Sequence, residues 1–163
     1  MKKDFVIQSC YALFRNITPL SVDCGKLCDG KCCKGSEKTG MLLFPGEEKL
    51  IDRDINITEN DDGQLFAVCN GFCNRNYRPL SCRIYPLFPV LKNENGNEYI
   101  EVEYDPRANC PLCSGEPQLT AAFVKAVKRA GKYLLLSEET AESYRKISAE
   151  IDEINNLKEL LFK

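Results

Sequence analysis

Four cysteines fall within ten positions, Cys24-Gly-Lys-Leu-Cys28-Asp-Gly-Lys-Cys32-Cys33, in a stretch running to Gly40 that shows no apolar periodicity. Such a segment has too little to bury to fold around a core of its own and needs another organiser. Gly25, Gly30 and Gly35 lie between and after the thiols, so the backbone can wrap closely around an ion or cluster and reach positive dihedrals. Adjacent Cys32 and Cys33 tend to point in different directions and suit two separate centres.

Two further blocks follow. Cys69-Asn-Gly-Phe-Cys73 runs into Tyr77-Arg78-Pro79-Leu80-Ser81-Cys82-Arg83-Ile84-Tyr85-Pro86, where prolines and aromatic rings frame the thiols. Arg75, Arg78 and Arg83 lie among these cysteines, and Lys26, Lys31, Lys34 and Arg107 are near others in sequence. Cations beside thiolates lower their pKa and offset the negative charge that a four-thiolate metal site retains. Cys110-Pro-Leu-Cys113 is the third block and has a two-residue spacing that suits a metal knuckle or a redox dithiol. The dithiol alternative lacks a thioredoxin-like βαβ context. Cys10 sits among apolar residues of an amphipathic stretch and is expected to be buried as a small hydrophobe.

The chain has 10 cysteines and no histidine. The amino-terminal stretch is broken by Asp4, Gln8, Ser9 and Arg15 and lacks a small-residue cleavage site, so an ordinary helix is expected rather than a signal peptide. No long apolar run suggests a membrane span. A cytoplasmic protein is the resulting expectation, and in a reducing compartment dense cysteine means metal or redox chemistry rather than disulfides. Without histidine, catalytic triads that need one, His-ligated zinc and facial iron triads are excluded, leaving thiolates, carboxylates and backbone groups as ligands. A net charge of −2 gives no broad electropositive surface, so neither a nucleic-acid partner nor a membrane partner is expected.

An α+β fold is expected: a small, irregular, metal-organised cysteine-rich domain over residues 1–116 with an N-terminal helix and a short antiparallel sheet, and a C-terminal helical hairpin over 117–163 packed on it. Val6, Ile7, Cys10, Leu13 and Phe14 predict the first helix. Met41 to Phe44 reads as a strand, Pro45-Gly46-Glu47-Glu48 as the start of a helix to about Arg53, and Gln64 to Cys69 as a second strand. Ile84 to Leu91 and Glu98 to Tyr104 read as a hairpin around Asn93-Glu94-Asn95-Gly96, with Pro86 and Pro89 confining its first arm to an edge. Stripes through Leu119, Phe123, Ala126, Ala130 and Tyr133, and through Tyr144, Ile147, Ile151, Ile154, Leu157 and Leu160, predict the two C-terminal helices, with Ser137 as N-cap of the second. Glu101, Glu103 and Asp105 read as a solvated strand face, and Tyr77 and Tyr85 as packing around the thiols.

The pattern Cys24-x3-Cys28-x3-Cys32-Cys33, Cys69-x3-Cys73 and the run Arg78-Pro79-Leu80-Ser81-Cys82-Arg83-Ile84-Tyr85-Pro86 resembles the YkgJ-type family. That family is described as a zinc- or iron-chelating domain, and its cysteine pattern is shared by flagellin lysine N-methylases. The resemblance spans roughly Cys24 to Cys113. It implies metal chelation by Cys24, Cys28, Cys32, Cys33, Cys69, Cys73 and Cys82, with Cys110 and Cys113 completing the set. The spacings Cys28-x3-Cys32 and Cys69-x3-Cys73 differ from the family's usual two residues and longer insertion, respectively.

Structural zinc normally uses paired two-residue knuckles, whereas iron–sulfur clusters tolerate varied spacing. Nine thiols suffice for two four-thiolate clusters, 4Fe-4S being favoured, with one left over; zinc is the alternative. Three functions follow: a metal- or cluster-binding protein for redox or metal handling with a protein partner, a methyltransferase-like cluster enzyme related to the flagellin methylases, or a zinc-stabilised interaction module.

Overall fold

The helical spacing of Val6, Ile7 and Cys10 is realised in helix α1 (Lys3–Leu13), whose inner face carries all three side chains fully buried. The structure is a computed structural model and describes residues 1–33, 40–71, 73–115 and 117–162. Part of the first cysteine block's glycine and lysine tail, including Lys34 and Gly35, lies outside the described residues.

The fold is α+β. Strands β1 (Met41–Leu42), β2 (Asn56–Glu59) and β3 (Leu65–Val68) form an antiparallel sheet in the order β1-β3-β2. Strand β2 is not anticipated from sequence, because its residues are largely exposed and carry no apolar alternation. Strands β4 (Leu87–Glu94) and β5 (Asn97–Tyr104) form a second, two-stranded sheet in register from Leu87↔Tyr104 to Glu94↔Asn97. Their turn uses Asn95 and Gly96, both with positive φ, the dipeptide that a tight hairpin prefers. In a two-stranded sheet both arms are edges, which accommodates Pro89.

Helices α4 (Ala121–Leu134) and α5 (Glu138–Leu161) cover this hairpin, and α1 packs on α4. The Thr120 hydroxyl caps α4 by accepting from Phe123 N–H at 3.2 Å. Ser137 occupies the N-cap position of α5, but its side chain makes no cap bond; instead the Thr140 hydroxyl donates to the Leu134 carbonyl at 2.7 Å. Tyr144 fastens α5 to the hairpin by donating to the Pro89 carbonyl at 2.6 Å. Lys92 adds an ion pair with Glu103 at 2.8 Å and one with Asp152. Glu103 and Asp105 are therefore engaged rather than solvated, the latter by Arg107, and Glu101 alone of that trio is exposed.

One core joins α1, β4, α4 and α5 through Ile7, Phe14, Phe88, Val90, Phe123, Leu134, Tyr144, Ile147 and Ile151. Cys10 is the one cysteine in it among the described residues. A smaller cluster of Leu43, Ile51, Ile55 and Ala67 lies against the first sheet, with Cys73 at its margin. Three further expectations need correction. The helix expected from Pro45 to Arg53 shrinks to a 3-10 turn at Glu47–Lys49, because the Glu47 side chain turns inward and Ile51 and Ile55 are drawn to the smaller cluster. Ile84, assigned to a strand from sequence, ends a short helix α3 (Leu80–Ile84), where burial of Leu80 and Ile84 on one face outweighs β propensity. The stripe of α5 is buried only as far as Ile151: Leu157 and Leu160 are 52% and 71% exposed because the hairpin ends beneath the preceding turns. No helix among the described residues is long and apolar enough to cross a membrane.

Gly131 of α4 sits where an added Cβ would lie 2.8 Å from Pro89 Cβ and 2.9 Å from the Tyr144 hydroxyl oxygen. Helix propensity alone makes Gly131→Ala stabilising by about 1 kcal/mol, whereas forcing a methyl into this contact costs about 1–3 kcal/mol. The overpacking prevails because the neighbours are a ring carbon and a hydroxyl already bonded to Pro89. A urea melt of the Gly131→Ala protein is expected to show lower stability; a raised midpoint would contradict this packing.

Candidate metal centre

Helix α3 explains how one cysteine is presented. Leu80 and Ile84, four residues apart, both face the core, so Cys82, about 200° around the helix from Leu80, projects on the other side. The Ser81 hydroxyl holds the helix to β1 by donating to the Leu42 carbonyl at 2.6 Å. The preceding turn, Arg75–Tyr77, is capped by the Asn74 side chain, which accepts from Asn76 N–H. Asp52 joins this turn from another segment, accepting from Asn74 N–H at 3.1 Å.

Each of the three arginines of this region has a partner, and Arg78 and Arg83 are also partly buried. Arg83 donates to the carbonyls of Arg78, Asn76 and Arg75 at 2.7, 2.9 and 3.1 Å, so one guanidinium gathers the whole turn. Arg78 Nε donates to Cys73 Sγ at 3.4 Å. Arg75 pairs with Asp23 at 2.9 Å and ties the turn to the residue before Cys24. Lys26 and Lys31 are exposed, and Arg107 is engaged by Asp105.

Two cavities lie on either side of Arg78, Cys82 and Cys32. The larger, about 120 Å³, is lined by Cys24, Cys28, Cys32, Cys82 and Cys110, with Tyr85 among its walls. The smaller, about 40 Å³, is lined by Cys32, Cys33, Cys69, Cys73 and Cys82. Cys113 lines neither but belongs to the same turn as Cys110, its N–H donating to the Cys110 carbonyl at 3.0 Å.

Electrostatic neighbours set Cys82, which lines both cavities, with the thiols of the smaller one. Cys24 feels Cys28 and Cys110, and Cys110 feels Cys28 and Cys113. Cys69 feels Cys33 and Cys73, and Cys82 feels Cys73 and Cys33. Cys32 feels Cys33, Cys82 and Cys24 and so stands between the groups, 4.0 Å from Cys33 Sγ. Two sets of four with one thiol over result.

Burial raises the thiols of Cys24, Cys69, Cys82, Cys110 and Cys113 above their ordinary value. Backbone N–H groups oppose this at Cys69, from Gly71, and at Cys110, from Leu112. The hydrogen bond between Cys32 and Cys33 lowers Cys33 and raises Cys32, with Arg78 also favouring the Cys33 thiolate. At Arg78 burial would lower the guanidinium, but its bond to Cys73 and the nearby thiols carry it higher. A cation that binds the raised thiols displaces their protons.

Among the described residues, no three cysteine, aspartate or glutamate side chains are grouped so as to hold a metal ion as they stand. The donor set is nonetheless of one soft type, with four thiols to each group, and this chemistry fits zinc or iron–sulfur ligation. Helix α2 (Gly25–Cys28) and the 3-10 turn at Lys31–Cys33 contain no buried residue, so little packing resists their movement toward a ligand.

Three residues of this region escape the sequence reading. Glu47, read there as an acid opening a helix, is fully buried and accepts from Tyr11, Phe44 and Leu80. Tyr11 carries no sequence signal at all, because its partners are Glu47 and Arg83, both distant along the chain. Asp23 had one available signal, its position immediately before the first thiol of a cation-rich constellation.

No protein-family model, curated protein or solved structure matches the chain.

Cys10 lies apart from both groups, fully buried against the Ala130 carbonyl, and burial pushes its thiol up to about 12. Cys10→Ala is expected to lower stability by about 1 kcal/mol through lost burial and to leave metal uptake unchanged. Urea melts and metal titration of the same variant check the two halves; diminished uptake would place Cys10 in the site.

Proposed function

We propose that the protein binds metal through two four-thiolate centres, iron–sulfur clusters being favoured over zinc, and serves in redox or metal handling in the cytoplasm. One centre comprises Cys33, Cys69, Cys73 and Cys82; the other comprises Cys24, Cys28, Cys110 and Cys113, with Cys32 adjoining both. The observation that carries this reading is the gathering of eight of the nine thiols around two cavities that meet at Arg78, Cys32 and Cys82, with Cys113 on the same turn as Cys110. Clusters held in this way would supply one-electron transfer, and the protein's part is to provide thiolates, cations that offset their charge and partial exclusion of water. The earlier resemblance to zinc- and iron-chelating domains agrees with this assignment, and a protein that receives electrons or metal is the expected partner.

Anaerobic purification followed by iron and acid-labile sulfide analysis tests it. About eight iron and eight sulfide per chain are expected for two 4Fe-4S clusters. Cys73→Ser and Cys110→Ser should each remove about half of the iron. Stoichiometric zinc without sulfide would replace iron–sulfur by the zinc-stabilised alternative, and absence of any bound metal would overturn the reading.

Metal removal gives a separate prediction. The main core contains none of these nine thiols, so the chain does not depend on metal for its helices. Chelation is expected to leave the far-ultraviolet circular dichroism of α1, α4 and α5 largely intact while proteolysis between Cys24 and Cys33 accelerates. Collapse of the helical signal on chelation would show that the metal organises the core as well.

The larger cavity favours a second reading. Beyond its thiols it is walled by Phe14, Ile17, Leu27 and Leu112, an apolar lining that ligation does not require. A cluster-dependent enzyme, related in pattern to flagellin lysine N-methylases, would use such a space for a substrate beside the centre of Cys24, Cys28, Cys110 and Cys113. A cluster spectrum that changes on adding a methyl donor or a lysine-containing peptide would favour it.

A further inference from the structure

The carboxylate of Glu47 is completely buried, and it is the meeting point of three chain segments. Oε1 accepts from the Tyr11 hydroxyl at 2.7 Å and from Leu80 N–H at 2.6 Å, and Oε2 accepts from Phe44 N–H at 2.7 Å. Three donors facing two oxygens is the arrangement that an ionised carboxylate satisfies. On the opposite face of the Tyr11 side chain's reach lies Arg83, its guanidinium 4.2 Å from the ring centroid. That guanidinium is the group that gathers the carbonyls of Arg75, Asn76 and Arg78.

The chain of contacts therefore runs from a buried anion, through an aromatic ring, to a cation and on to the turn before α3. Leu80, bonded by Glu47, stands two residues before Cys82, and Arg83 stands one residue after it. Arg78, whose carbonyl Arg83 holds, donates to Cys73. Both ends of the contact chain thus bear on Cys82 and Cys73, and neither bears on Cys110 or Cys113.

We propose that Glu47, Tyr11 and Arg83 are positioning residues that hold Cys82 and, through Arg78, Cys73 for the group of Cys33, Cys69, Cys73 and Cys82 before any metal arrives. The proposal rests on the assignment of these thiols to one centre. Its physical content is preorganisation: ligands fixed by contacts to the core lose less freedom on binding than ligands on an unanchored loop. Cys24 and Cys28 of the other group have no equivalent, since they flank or lie within a helix with no buried residue.

The test is the rate of alkylation of each cysteine in the metal-free full-length protein, followed by mass spectrometry. Glu47→Gln keeps the shape of the side chain, but its amide would confront Phe44 N–H with a second donor and remove the charge facing Arg83. In that variant alkylation of Cys82 and Cys73 is expected to rise about tenfold, the factor that one lost charge-assisted hydrogen bond represents. Cys110 and Cys113 should react at the wild-type rate. Tyr11→Phe keeps the ring beneath Arg83 and the packing of α1 while deleting the bond to Glu47; it should show the same selective pattern, smaller in size. An increase uniform over all the thiols, or none at Cys82, in the folded Tyr11→Phe protein would overturn the proposal. Iron content of the same preparations reports separately on the metal assignment: wild-type protein without metal but with selective alkylation in the variants would sink that assignment and sustain the positioning role.

Discussion

Helix α3 is the hinge between two kinds of chemistry in this chain, and the rest of the arrangement depends on the way it divides them. Leu80 and Ile84 enter a core made by helices and a hairpin, and Cys82 leaves on the other side among thiols. The core is stabilised by apolar burial, at about 25 cal/mol per Å² removed from water. The segment from Cys24 to Cys33 has little such contribution, since none of its residues is fully buried. A five-residue helix is too short to persist by its own hydrogen bonds. It exists because the core grips one face and because Glu47, Ser81 and Arg83 fasten its ends and neighbours.

Burying Glu47 is the costliest of these fastenings. Taking a carboxylate out of water costs several kcal/mol, and burial accordingly raises its pKa while its three donors oppose that rise. Hydrogen bonds to a charged acceptor contribute about 1.5–3 kcal/mol each, so the carboxylate is sustained only while α1, the Phe44 turn and α3 all remain in place. A buried group with that requirement makes the three segments mutually dependent. The same logic, with the opposite sign of charge, applies to Arg83: burial lowers its guanidinium, and three carbonyls and the Tyr11 ring compensate.

Much of the architecture was legible as sequence. Helical periodicity located α1, α4 and α5 because each buries a stripe, and Asn95-Gly96 located the hairpin because a tight hairpin turn takes positive φ at both central residues. Strand β2 and helix α3 were not legible. The first is exposed and polar, pairing with β3 through backbone bonds that any side chain permits, and the second is a turn and a half whose two apolar residues read equally well as a strand. The last turns of α5 continue an apolar stripe beyond the element it packs on, which periodicity alone does not reveal.

For the candidate site, the sequence by itself determined which side chains are on offer: nine cysteines in three blocks separated by segments of ordinary composition, no histidine, and arginines clustered around the middle block. Spacing also separated Cys10 from the rest, because an amphipathic helix places it with Val6 and Ile7. Only the tertiary structure decided which thiols are neighbours, that Cys32 stands between two groups, and that Asp23, Tyr11 and Glu47 support them. The physical reason is the range of the interactions. Periodicity and turn chemistry act over a few residues and are written in local order, whereas the partition of the thiols and the contacts of Glu47 join positions dozens of residues apart, which only packing brings together.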